Sequence, residues 1–204
     1  MSDNDKVNTG HHIEDKELII NARKPVGKLG HKILERMNNS HELMAQWGVS
    51  HFDIHEGDMI LDIGCGGGKN IERFAKQVTT GKVQGLDYSE VSVEKSSKLN
   101  EKAIEEGKVE VIQGSVSQMP FEDDTFDIIT GFETIYFWPD FINDLKEVNR
   151  VLIPRVDAVS VGDFYFRITV APLVTALTMA PMPTVPQPIT ITVSTSVTCA
   201  RLTA

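Results

Sequence analysis

The 204-residue sequence predicts an α/β fold, a mostly parallel sheet with helices on its faces. Short apolar runs alternate with amphipathic helical stretches from Asp58 to Leu152. The first of these runs passes directly into a glycine-rich loop and then a helix, the pattern of a βαβ unit. Hydrophobic residues at 41% and charged residues at 24% fit a globular chain with one substantial core.

The elements follow in order. Residues 1–20 read as a frayed start and a helical lead-in. Residues 1–10 are too polar and acidic for a signal peptide. Lys28–Met37 and Ser40–Trp47 predict two short helices, with Ser40 as an N-cap and Gly48 as the left-handed residue that ends the second. Together residues 1–50 form an expected N-terminal helical cap, and residues 51–154 the α/β core. Met59–Ile63 is a buried strand, followed by a loop and a helix over Lys69–Lys76. Lys82–Leu86 is the second strand, Ser89–Glu106 a long polar helix closed by Gly107, and Val109–Gln113 the third strand. Phe126–Thr130 is the fourth. Asp140–Leu152 is an amphipathic helix with Phe141, Leu145, Val148 and Leu152 on one stripe.

After Pro154 the composition changes. Of the 49 charged residues only 5 fall in residues 155–204, and none of those is Lys or Glu. The same stretch holds nine Thr, eight Val and five Pro, and Ala180–Pro188 is incompatible with a helix or a central strand. Strands are expected at Ala158–Val161, Phe164–Val170 and Ile189–Val197, in a Thr/Val/Pro-rich tail that reads as a foreign or incomplete C-terminal half, poorly ordered or packed without a helix.

The net charge of −9 counts against non-specific binding to a phosphate backbone, so no nucleic acid partner is expected. No run of about 18 apolar residues suggests a membrane span. Cys65 and Cys199 lie far apart without metal-ligand spacing, as expected of free thiols in a reducing cytoplasm. His51 and His55 fall in a loop entering the first strand, and no metal site is expected.

The chemistry concentrates in Leu61-Asp-Ile-Gly-Cys-Gly-Gly-Gly68. Glycines 64, 66 and 68 let the backbone take positive φ and approach a ligand without an intervening Cβ, and the next helix offers unpaired N–H groups. A dinucleotide fingerprint would place a third glycine where Lys69 stands. The spacing here is G-x-G-x-G with Asp62 two positions before the first glycine. Asp87 ends the second strand, 19 residues after Gly68, where a carboxylate can accept hydrogen bonds from both hydroxyls of a ribose. Gln113-Gly-Ser-Val116 and Met119-Pro-Phe-Glu-Asp-Asp-Thr-Phe-Asp127 lead into the fourth strand. Gly131-Phe-Glu-Thr-Ile-Tyr-Phe-Trp-Pro-Asp140 leads out of it.

In combination these motifs resemble class I S-adenosylmethionine (SAM) dependent methyltransferases of the small-molecule type, over about residues 24–154. The resemblance implies a Rossmann-like methyltransferase sheet with SAM across the carboxyl ends of the first two strands. It places Asp62 near the amino group of the ligand, Gly64, Cys65, Gly66 and Gly68 in the cofactor loop, and Asp87 at the ribose. Ser115, standing where the family commonly has an acid, falls at the adenine, with Tyr88, Val116 and Phe132 completing the cofactor set. Tyr136 and Trp138 are candidates for the acceptor pocket, as is His41, which is placed as a possible base for the acceptor. Transfer from a sulfonium needs alignment and a dry pocket more than a catalytic group, so no catalytic residue is nominated. The expected activity is methyl transfer from SAM to a small-molecule acceptor. Two alternatives stay open: a truncated or frameshifted relative that binds SAM without turnover, and a nucleotide-dependent oxidoreductase.

Overall fold

A computed structural model describes residues 21–50, 52–154, 167–170 and 189–192, the last two segments as backbone. Four parallel strands form the main sheet: β1 (Met59–Ile63), β2 (Lys82–Asp87), β3 (Val109–Gln113) and β4 (Ile128–Thr130), in the order β3-β2-β1-β4. Two helices, α1 (Gly27–Ser40) and α2 (Glu42–Val49), precede them. Between the strands lie α3 (Lys69–Ala75), α4 (Glu90–Leu99) and α5 (Glu101–Glu105), and α6 (Phe141–Val151) follows β4. Two further strands, β5 (Arg167–Val170) and β6 (Ile189–Thr192), form an antiparallel pair.

Because successive strand residues point to opposite faces, β1 feeds two cores. Ile60 packs with Ile71 and Phe74 of α3, Val83 and Val109 on one face. Leu61 and Ile63 pack with Leu86, Phe126, Ile129 and the α6 residues Val148 and Val151 on the other. The chain runs outward from β1 through β2 to β3, then returns to the opposite side of β1 as β4. The gap between the carboxyl ends of β1 and β4 is therefore the point where strand order reverses, the usual ligand crevice of such sheets.

Several local expectations need correction. Ser40 ends α1, its hydroxyl donating to the Met37 carbonyl at 3.4 Å, and His41 stands at the start of α2 without a side-chain cap. Gly48 lies inside α2 with an ordinary φ; a Cβ there would sit 2.5 Å from the Phe132 ring. Close packing, not a left-handed turn, requires that glycine.

The long helix after β2 breaks at Asn100, whose buried side-chain amide donates to the Gly68 carbonyl at 3.1 Å and to Ser96 at 2.9 Å. Phe126 lies before β4 and forms an isolated parallel bridge with Leu152. In α6 the buried positions are Asp144, Val148 and Val151, while Phe141 is 42% exposed. The buried stripe keeps Val148 but takes Asp144 and Val151 in place of Leu145 and Leu152, and the Asp144 carboxylate accepts the Asp140 N–H at 3.0 Å. Arg150 of α6 donates to the Phe121 and Met119 carbonyls at 2.8 and 3.2 Å, tying the loop before β4 to that helix. Of the three strands expected in the tail, 167–170 and 189–192 are strand; the 158–161 segment and the proline-rich stretch lie outside the described residues.

Candidate functional site

Asp62 is the penultimate residue of β1 and is buried. Thr130, its register partner on β4, donates its hydroxyl to the Asp62 carboxylate at 2.7 Å, bridging the switch point. Burial pushes the Asp62 carboxyl up to about 7, with the neighbouring Asp87 charge adding to it and the Thr130 bond opposing it.

The loop after β1 turns on three positive-φ glycines, Gly64 (+70°), Gly66 (+53°) and Gly68 (+79°). They differ in surroundings. A Cβ on Gly68 would lie 2.7 Å from Asn100 Nδ2 and 2.8 Å from Ser96 Cα, so that glycine serves helix packing. A Cβ on Gly64 would strike Thr134 of the segment after β4. Gly66 alone of the three faces open space, its nearest neighbour being Leu34 Cδ2 at 3.7 Å. The Gly66 N–H donates to Asp87 Oδ2 at 2.9 Å, while Ser89 N–H donates to Asp87 Oδ1 at 2.9 Å. Asp87 thus fixes the loop and keeps a further acceptor lone pair on each oxygen. Cys65 is buried in this loop, and burial pushes its thiol well above the ordinary range.

The helical cap is fastened over this loop. Asn38 of α1 donates to the Gly67 carbonyl at 3.4 Å, and Arg73 of α3 pairs with Glu42 of α2. Ser89 donates to Pro25 O at 2.6 Å, and Tyr88, 38% exposed, donates to Arg23 O and lies 5.3 Å beneath the Lys24 ammonium. Between cap and loop runs a cleft lined by Leu34, Met37, His41, Met44 and Ala45 on one side, and by Asp62, Gly64, Gly66 and Arg73 on the other. Phe132 and Glu133 close its end. Its free volume is about 70 Å³.

Of the expected site residues, the structure gathers Asp62, Gly64, Cys65, Gly66, Phe132 and His41 around this cleft. Asp87 borders it through Gly66, and Gly68 lies behind it. Ser115 is exposed after β3, its hydroxyl accepting the Ser117 N–H at 3.2 Å, beside buried Val116. Neither Tyr136 nor Trp138 lines the cleft. Trp138 packs against the core face that holds Phe126 and Val148, and Tyr136 donates to Glu133 at 2.6 Å. Sequence reasoning missed Glu133, Asn38 and Arg73. The cap contacts carry no local motif, while Glu133 is marked only by its backbone, φ +56°. Among the described residues, none form a His, Cys, Asp and Glu group able to hold a metal, and no helix is long and apolar enough to cross a membrane.

Residues 61–159 match the methyltransferase domain family. The demethylmenaquinone methyltransferase of Staphylococcus aureus (strain JH9) is 33% identical over 129 residues, covering 60% of this chain and 52% of that protein. The chain thus spans about half the length of the curated relatives it matches. A SAM-dependent methyltransferase of Aquifex aeolicus superposes with a TM-score of 0.55 at 25% identity, covering 61% of this chain and 68% of that one. The cyclase SpnF, at 20% identity, TM-score 0.52 and coverage of 57% and 42%, shares the fold alone. Over the segment that carries the glycine loop and the parallel strands, this chain is similar to class I SAM-dependent methyltransferases.

Proposed function

We propose that the chain binds SAM in the cleft between the cap and the glycine loop and transfers its methyl group to a small, largely apolar molecule. The carrying observation is the open Gly66 backbone in the loop that joins the Asp62 end of β1 to the Asp87 end of β2. These residues fit the cofactor: Asp62 would face the ammonium, and the free lone pairs of Asp87 the ribose hydroxyls. When bound, SAM supplies an electrophilic methyl group on a sulfonium. The chain's own residues then orient the reactants and exclude water, and the cap supplies apolar walls from Leu34, Met37, Met44 and Phe132.

An aromatic acceptor of the kind named in the Staphylococcus aureus relative suits those walls. The chain charge of −9 supports a small molecule over nucleic acid, and the cytoplasm is the proposed site of action. Calorimetric titration with SAM and, separately, with NAD tests the cofactor. Saturable binding of SAM alone is expected, and binding of NAD alone would reject the assignment.

One observation favours a second reading, a SAM-binding relative without turnover. β4 is the edge of its sheet among the described residues, and the composition changes just after α6. Labelled-methyl transfer to an acceptor panel separates the two readings, since only the first predicts product.

A further inference from the structure

We propose that Glu133 is the residue that recognises the methyl acceptor, accepting a hydrogen bond from an acceptor O–H or N–H and taking that proton as the methyl group arrives. This rests on the reading of the cleft as a SAM site.

Glu133 is one of two non-glycine residues with positive φ among those described. Such a backbone costs about 1–3 kcal/mol and persists where surrounding structure enforces it. Here the enforcement is visible on both sides. Phe132 is wedged against Gly48 of α2, and Thr134 fills the space beside Gly64. The carboxylate is held as well as the backbone: Tyr136 donates to Oε2 at 2.6 Å. Oε1 is buried and has no hydrogen-bond partner among the described residues, although Glu133 lines the cleft. A buried carboxylate oxygen without a donor is unfavourable unless a ligand supplies one.

Asp87, Asp62 and the segment after Thr130 follow one another across β2, β1 and β4. A cofactor whose ribose is at Asp87 and whose amino acid is at Asp62 spans the first two. The sulfonium of such a cofactor lies between these two contacts, and Glu133 lines the same cleft as His41, Met44 and Phe132, the cap side assigned above to the acceptor. In the transfer, the acceptor's O–H or N–H bond breaks and its proton passes to Glu133 Oε1. The electron pair released forms the new bond to the methyl carbon, directly or through a conjugated ring carbon, and the carbon–sulfur bond breaks with its pair going to sulfur. An acceptor without a protic group leaves Oε1 unsatisfied and is rejected on that account.

The test uses the full chain and Glu133→Gln, with SAM calorimetry and labelled-methyl transfer to 1,4-dihydroxynaphthalene and to benzylamine as O–H and N–H probes. The wild type is expected to methylate at least one probe. The variant is expected to keep SAM affinity within about twofold while losing about 100-fold or more in kcat, the scale of a lost general base. Glu133→Gly, which relieves the positive φ, should raise the thermal midpoint while losing transfer equally, a split that a merely structural glutamate would not give. A tenfold loss of SAM affinity in Glu133→Gln would move the residue to the cofactor and overturn the proposal. Bound SAM with neither probe methylated would overturn it too. A wild type that binds no SAM would refute the parent reading instead, and that failure appears in the calorimetry alone.

Discussion

Replacing Asp62 by Asn should make the free protein more stable at pH 8 than the wild type and worse at binding SAM. The magnitude follows from burial. The carboxyl is 1% exposed and titrates near 7 in place of an ordinary 3.8. Its pKa is raised on folding, so the stability that its proton contributes is fully present below pH 3.8 and lost as the pH climbs through 7. Between pH 4 and pH 8 this amounts to about 3–4 kcal/mol, at 1.36 kcal/mol per unit. Asn keeps an oxygen to accept from Thr130 and carries no charge, but its amide brings donors that cost about 1–3 kcal/mol if left unpaired.

The sum at any single pH is therefore less informative than its change with pH. Urea denaturation of both proteins at pH 4, 6 and 8 should show the difference, variant minus wild type, moving in the variant's favour by about 3–4 kcal/mol across the range. Titrating groups that are not coupled to Asp62, all but Asp87 and Cys65 among its near neighbours, cancel in that difference. Parallel stability curves over pH 4–8 would show that Asp62 is not held out of water as described. SAM binding should move the other way, since an ammonium favours the ionised form. In the wild type, binding near pH 6.5 should release a proton, detectable as a buffer-dependent heat in calorimetry.

Asp87→Ala should weaken SAM binding by about 1.5–3 kcal/mol, the range for hydrogen bonds to a charged acceptor, read by calorimetry. Gly66→Val, placed at φ +53° on the open side of the loop, should abolish SAM binding while the helical circular dichroism stays close to wild type. Gly68→Ala meets Asn100 at 2.7 Å and the Ser96 backbone at 2.8 Å, and its urea midpoint should reflect a loss of about 2–4 kcal/mol from strain and overpacking together. Gly48→Ala should act on the cap alone, speeding hydrogen exchange of α1 and α2 while leaving β1 protected, because its Cβ would displace the Phe132 ring on which α2 rests.

The parallel sheet was legible because its signals are local. Met59–Ile63 and Val109–Gln113 coincide with their expected bounds, as apolar runs between turn residues do when both faces of a strand are covered. The errors share one cause, a polar or glycine residue whose partner is distant in sequence. Ser40 and Gly48 carry the side chains of a cap and a stop, yet Gly48 answers to Phe132, 84 positions on. Asn100 interrupts a helical pattern because Gly68, 32 positions earlier, needs a donor for its carbonyl. Asp144 falls outside an apolar stripe, yet is the buried residue of its turn and caps Asp140.

The site divides along the same line. The placement of Asp62, Gly66 and Asp87 at neighbouring strand ends was readable because a strand end followed by a glycine loop fixes positions within about 25 residues of chain, and spacing is then geometry. The acceptor side has no such constraint. It is assembled from α1, α2, α3 and the segment after β4, four pieces that the sheet brings together and the sequence keeps apart. Aromatic content drew attention to Tyr136 and Trp138, but in this structure Trp138 serves the core and Tyr136 serves Glu133. The residue between them and the cleft was hidden because a glutamate at positive φ looks, in sequence, like any other glutamate. That asymmetry has a physical consequence for how such a domain can change substrate. Substitutions in the cap or after β4 alter the acceptor walls without touching the strand ends that hold Asp62 and Asp87. A cap swap from another class I methyltransferase should therefore change the methylated probe while SAM affinity stays within about tenfold, and calorimetry on the chimaera would show at once if the two halves are coupled more tightly than that.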